Sequence, residues 1–255
     1  MRRAFLTLGL VFLWAPIALM AAYAFSGSRV PFEWGGFSLR WFAALAANER
    51  LLEAAWLSLR IGAAAATLAT LLGLALGWVL ARHGRFSGRS LFGALAGAPL
   101  VLPEVVMGLS LLLLFVGLQA LTGWPAQRGA MTVWLAHSAL GMAYVAVLVQ
   151  ARLSTLDPVL EEAAADLGAS RVTVFRTITL PLIRPSLIGG WLLAFTLSLD
   201  DVVLASFVSG PGATTLPVYL FSQLRLGMTP EANALAVVML GAAGLLGLLG
   251  WRLSR

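Results

Sequence analysis

The chain contains no cysteine and no lysine; all 17 of its Lys and Arg residues are arginine. Without cysteine there is no disulfide and no thiolate metal site. Without lysine there is no Walker A loop, GxxxxGK followed by Ser or Thr, because that lysine reaches the nucleotide phosphates. If nucleotide hydrolysis drives this protein, a different chain performs it. Histidine is also scarce. His83 lies in a basic loop and His137 stands alone in an apolar run. No HExxH pair and no His/Glu metal set is present, which argues against a membrane-embedded protease. Charge is the broadest shortage. Only 11% of the 255 residues are charged, against about 25% in an ordinary soluble domain. A water-exposed surface of normal size cannot be built from so few.

What is present in excess is apolar sequence: 60% hydrophobic residues and a mean hydropathy of +0.91. It falls into runs at about 5–26, 54–81, 91–121, 131–151, 186–208 and 232–252. Each is long enough to cross a hydrocarbon core of about 30 Å as a helix. The expected fold is an all-α polytopic membrane protein with six transmembrane helices in one domain, residues 1–255. Arg2-Arg3 and Ala22-Tyr23-Ala24 give the first run some likeness to a signal peptide. A signal h-region covers about 7–15 residues, however, and Phe5–Phe25 exceeds that, so an uncleaved span is expected.

The net charge of +6 would suggest nucleic acid in a soluble protein. Here the arginines lie between apolar runs, where they set membrane orientation, and no nucleic-acid partner is expected. With the N-terminus inside, eleven arginines fall on the inner side: Arg2, Arg3, Arg82, Arg85, Arg89, Arg152, Arg171, Arg176, Arg184, Arg252 and Arg255. Five fall outside, namely Arg29, Arg40, Arg50, Arg128 and Arg225, and Arg60 lies within the second run. Six spans with both termini cytoplasmic follow. The outer segment 27–53, with Pro31, Phe32, Trp34, Trp41 and Phe42, reads as an interfacial stretch against the headgroups. Gly73-x-x-x-Gly77 and Gly93-x-x-x-Gly97 have the spacing that lets helix backbones approach in lipid. Pro99 and Pro103 imply a broken or kinked third run.

The longest polar connection, 152–185, is ordered in character. Asp157-Pro158 makes a helix start, Val159–Leu167 is strongly helix-forming, and Gly168 stops it. A second start at Ser170 leads through Arg171–Leu180 to Pro181. Two readings fit such a hairpin: a cover for the inner face of the bundle, or an element that docks on a partner.

Glu162-Ala163-Ala164, Gly168 four residues further on, and Ile178-x-Leu180-Pro181 together resemble the EAA loop of the binding-protein-dependent ABC importer permeases. The resemblance covers nearly the whole chain. Leu197-Ser198-Leu199-Asp200-Asp201-Val202-Val203, Ser206–Gly212, Pro230-Glu231-x-Asn233-Ala234 and Ala98–Val106 are similar to the putrescine and spermidine permeases of that family. It implies a type I ABC importer permease in the bacterial inner membrane, with Glu161, Glu162, Ala163, Ala164, Asp166 and Gly168 in an ATPase-docking helix. It also implies no cofactor on this chain, with ATP and Mg on the ATPase. The partners it implies are an ATP-binding subunit dimer, a second and different permease subunit, and an external solute-binding protein. Arg60 departs from the pattern, where a small neutral residue is expected.

An acid at the bilayer centre costs on the order of 2.5–3.5 kcal/mol, so Glu104, Asp200 and Asp201 are candidates for the substrate pathway. Neighbouring helical residues point about 100° apart, so the two aspartates cannot line one narrow groove. One faces the pathway, while the other pairs with Arg60 or a helix terminus. Each acid has substrate contact and a structural pair as open alternatives. Carboxylates in a dry pathway suit an organic diamine or triamine, to which Trp191 or Phe195 can add cation–π contact. His137 reads as a helix–helix hydrogen-bonding residue. The competing functions are a permease for another solute in the same architecture and a secondary transporter, against which the EAA loop argues.

Overall fold

In a computed structural model, which describes residues 2–30, 33–84, 86–226 and 230–253, the chain is almost wholly helical. Pro31, Phe32, Arg85 and Arg255 lie outside these residues, as do the side chains of Arg2, Arg3 and Arg225. The chain forms two compact parts, Met1–Glu53 with Tyr219–Arg255, and Ala54–Val218.

In the first part, α1 (Arg2–Tyr23) presents nearly all of its apolar side chains outward. The turn after it is pinned by an isolated bridge between Ser26 and Phe37. Trp41, on the amphipathic helix α2 (Arg40–Ala47), donates from Nε1 to the Ser26 carbonyl at 2.6 Å. The Arg40 guanidinium lies 4.1 Å from the Trp41 ring centroid and donates to the Gly27 carbonyl. An arginine stacked on a tryptophan with one N–H given to a carbonyl suits the membrane interface. Asn48 donates to Glu231 at 3.0 Å, joining the end of α2 to the start of α12 (Glu231–Leu253).

The second part holds most of α3 (Glu49–Arg82), then α4 (Arg89–Val101), α5 (Glu104–Thr122), α6 (Ala130–Ser154), α7 (Val159–Asp166), α8 (Arg171–Val174), α9 (Leu180–Asp200) and α10 (Val203–Val208). The helix α11 (Leu216–Leu226) follows in sequence, before α12. Five stretches of the described residues are long and apolar enough to cross a membrane: Phe5–Tyr23, Glu49–Arg82, Glu104–Thr122, Ala130–Ser154 and Arg171–Asp200. Arg89–Val101 and Glu231–Ala242 are shorter apolar helices.

α6 is the most enclosed span, packed between α3 and α9 over one core (Ala66, Ala69, Val145, Val149, Ile183, Ala194) and against α5 and α10 over another (Phe115, Val133, Ala136, Leu204, Val208). The α3–α6 seam depends on glycine. A Cβ at Gly73 would lie 2.6 Å from Val145 Cβ, and one at Gly77 would lie 2.6 Å from the Ala146 carbonyl oxygen. The second small-residue pair is different: a Cβ at Gly93 would only reach ordinary contact with Leu80, and one at Gly97 would meet open space.

Three apolar runs depart from simple rods. The third divides at Leu102–Pro103, where Leu102 is extended (φ −72°, ψ 135°) and Pro103 caps α5. Proline drives its predecessor out of the helical region and brings no N–H, so one helix ends where the next starts. The fifth begins earlier than hydropathy suggests, because the helix does not stop at Pro181. A π-turn, Phe175–Thr179, precedes it, and the wider turn relieves the clash a proline ring makes with the carbonyl four residues back. The same run ends at Asp200; Asp201 is extended (φ −71°, ψ 121°) and α10 is a separate helix.

Candidate functional site

The connection between α6 and α9 is built as its residues dictate. Asp157 Oδ1 accepts from the Val159 N–H at 3.0 Å, fastening the first turn of α7. At the other end Gly168 adopts φ +86°. Its N–H donates to the Ala165 carbonyl and the Ala169 N–H reaches back to the Ala164 carbonyl at 3.0 Å, which closes the helix with a left-handed glycine. Ser170 Oγ accepts from Thr173 N and starts α8.

On α7 the two glutamates point in different directions. Glu162, Ala163, Ala165 and Asp166 are exposed, and Leu167, just past the helix, is 90% exposed. Glu161 turns inward. Its Oε1 accepts from Arg82 Nη2 at 3.1 Å and from Thr179 Oγ1 at 2.8 Å. Ala164, one turn on, is half-buried on that same inward side.

The three intramembrane acids are likewise separated. Glu104 occupies the first turn of α5 and is exposed, where a carboxylate favours the positive end of the helix dipole. Asp200 ends α9, also exposed. Among the described residues Arg82 forms an ion pair with Glu161 and His137 contacts Asp201, and neither Asp200 nor Glu104 takes part in these contacts.

Asp201 is buried and fully engaged. Its Oδ1 accepts from the Leu204 N–H at 3.0 Å, and its Oδ2 accepts from the Ala205 N–H at 2.7 Å and from His137 Nε2 at 3.0 Å. The carboxylate therefore satisfies two of the N–H groups that a helix start leaves open. His137 Nδ1 lies 2.6 Å from Ser198 Oγ. With Nε2–H given to the carboxylate, Nδ1 can accept the Ser198 hydroxyl, the tautomer that leaves no polar atom of the three side chains unmatched.

Arg60 is exposed on α3. Trp191 and Phe195 stack at 5.2 Å with 9° between their planes, and Trp191 Nε1 donates to Thr67 Oγ1 at 3.1 Å. The sequence assigns Ser198, Arg82 and Thr179 no part in the site. The only hint of Ser198 is its place three residues before Asp201, and of Arg82 its place at the basic end of a span.

Helices long and apolar enough to cross a membrane, two apolar runs broken beside acids, and an ordered polar hairpin define a membrane protein of many spans. The chain belongs to the family described as the binding-protein-dependent transport system inner membrane component, whose model matches residues 73–253. Among its relatives, the putrescine transport system permease protein PotI of Escherichia coli K12 is 53% identical over 97% of this chain and 88% of its own length. The spermidine/putrescine transport system permease protein PotC of Haemophilus influenzae is 40% identical over 94% of this chain and 91% of its own. The fold is that of ABC importer permeases. A bacterial transporter that imports the acidic polysaccharide alginate superposes with a TM-score of 0.73 at 14% identity over 100% of this chain and 94% of that one. The MetNI methionine transporter gives 0.64 at 17% identity over 80% and 94%.

Proposed function

We propose that this chain is a permease subunit of an ATP-driven polyamine importer, with putrescine or spermidine as substrate. The observation that carries the substrate class is Asp200, an exposed carboxylate in no ion pair among the described residues, at the end of a span that otherwise holds no charge between Arg184 and itself. An ammonium group losing its water in such a place regains it as a charge-assisted hydrogen bond. The identity to permeases named for putrescine points the same way. The stacked Trp191 and Phe195 offer aromatic surface for a cation along the same helix. Glu104 is a second, weaker contact, and Asp201 serves by holding the chain beside Asp200. Binding-protein-dependent uptake of labelled putrescine and spermidine into reconstituted vesicles tests the assignment. Uptake of another solute but neither amine leaves the permease reading and removes the polyamine one.

ATP and Mg belong to a separate ATP-binding subunit dimer, since no lysine is available here for a phosphate loop. A second permease subunit and an external solute-binding protein complete the importer. Glu162, Ala163 and Asp166, exposed on α7, with Leu167 and Gly168 just past its end, make the surface that seats on the ATPase, and Ala164 backs it from the inward side. Gly168→Val forces a β-branched residue into the left-handed region, and Glu162→Arg reverses a charge on the docking face. Both variants are expected to insert normally and to lose most substrate-stimulated ATP hydrolysis. Wild-type transport by both would leave the hairpin as a cover only.

The arginine asymmetry puts both termini in the cytoplasm. In this cysteine-free chain, a cysteine at Ser87 should label from the inner side and one at Ser209 from the outer side. The opposite pattern inverts the topology.

A further inference from the structure

We infer that Glu161 is a positioning residue for transport: its carboxylate fastens the docking helix α7 to the ends of two spans, through Arg82 and Thr179, and passes the movement of α7 into the bilayer. This rests on the reading of α7 as the ATPase-docking helix, and it removes Glu161 from the docking face.

The geometry is specific. A single oxygen, Glu161 Oε1, receives Arg82 Nη2 at 3.1 Å from the last residue of α3 and Thr179 Oγ1 at 2.8 Å from the last residue of the π-turn that leads into α9. Three elements far apart in sequence thus meet at one atom. Thr179 is fully buried, and the Arg82 and Glu161 side chains are largely so. α7 itself contributes no buried residue, so apolar packing does not hold it in place. Trp78, one turn before Arg82, meets Phe175 of the π-turn edge to face at 5.2 Å, so the same two spans are also joined by an aromatic contact beside the carboxylate.

The joint is strong enough to transmit and loose enough to turn. Arg82 gives one N–H to Glu161, while its Nε is buried with no hydrogen-bond partner among the described residues. A bidentate arginine–carboxylate pair fixes both planes, but a single-point pair leaves rotation about the shared oxygen free. A π-turn is a place where a helix yields without unwinding, and such turns occur often at functional sites. α7 can therefore tilt while the ends of α3 and α9 follow. The neighbouring glutamate, Glu162, points about 100° away and takes no part.

The test uses the assembled importer in vesicles, with both permease subunits, the ATPase and the binding protein. Three quantities are read: ATPase co-purification, ATP hydrolysed, and putrescine taken up. Glu161→Ala and Arg82→Glu are expected to retain the ATPase but lower putrescine uptake per ATP by at least tenfold. The exchanged pair Arg82→Glu with Glu161→Arg is expected to recover at least a third of the lost ratio. Thr179→Val keeps shape and removes one donor, and a fall of about threefold is expected; it also serves if a charge variant does not insert. Loss of the ATPase from Glu161→Ala to the extent seen in Glu162→Arg would make Glu161 a docking residue and overturn the inference. So would an unchanged ratio in Glu161→Ala or Thr179→Val, or no recovery in the exchanged pair. Failure of the docking reading itself shows separately, as wild-type transport by Glu162→Arg.

Discussion

Asp201→Ala is expected to be among the most damaging single substitutions in the chain, and to act on the fold before it acts on transport. The change strips the acceptor from three donors at once: the Leu204 and Ala205 N–H groups and His137 Nε2. Each buried donor left without a partner costs about 1–3 kcal/mol, so the sum exceeds the about 0.5–3 kcal/mol of most substitutions. Asp201→Asn should fall between. Its amide oxygen can still take one backbone N–H, but its NH2 group then faces donors. His137→Phe removes only one of the three donors and fills much of the same volume, so a milder loss is expected. Thermal melting of the detergent-purified permease, followed by yield in the membrane, orders the series as Ala, Asn, Phe, from worst to mildest. A melting point for Asp201→Ala within a degree of wild type would mean that α10 does not depend on this cap.

The second large effect is expected one residue earlier and has the opposite character. Asp200→Asn keeps the shape of an exposed side chain that forms no ion pair among the described residues, so stability and assembly should change little. Uptake should collapse. Removing a carboxylate that meets an ammonium in a dry site typically costs about 2–5 kcal/mol, well over tenfold in affinity or rate. The measurement is labelled putrescine uptake in vesicles matched for permease content and for ATPase bound. Glu104→Gln is the internal comparison, with a smaller loss expected. If Asp200→Asn transports normally, the acid at the end of α9 is not a substrate contact and the polyamine assignment rests on likeness to relatives alone. The contrast between adjacent aspartates is itself informative: one variant melts and the other merely stops transporting.

Much of this was readable in the residues. Apolar runs locate the helices because lipid leaves the backbone no partner but itself. Asp157-Pro158 and Gly168 locate α7 because capping is local chemistry, settled within a few residues. Pro103 announces its break for the same reason. Which aspartate would pair, and with what, was not readable: the sequence left Arg60 and a helix terminus open, and the break after Asp200 is held by a histidine 64 residues away in sequence. Composition also cannot tell Glu161 from Glu162. Both are acids at the start of one helix, and only the positions of Arg82 and Thr179, 79 and 18 residues distant, decide which turns inward. Pro181 misleads in the other direction. It reads as a stop, and the π-turn that lets the helix pass through it has no sequence signature of its own.

The glycine seam between α3 and α6 has a mechanical meaning. With the two backbones as close as Gly73 and Gly77 allow, there is no slack for one helix to slide along the other without driving Val145 or Val149 into a main chain. The pair behaves as a single beam. Any stroke delivered at its Arg82 end must then emerge where the chain is jointed instead of rigid, at Leu102–Pro103 and at Asp201–Val202. Those two joints lie next to Glu104 and Asp200, so on the proposed docking of α7 a tilt of that short helix would end as a change in the spacing of two carboxylates.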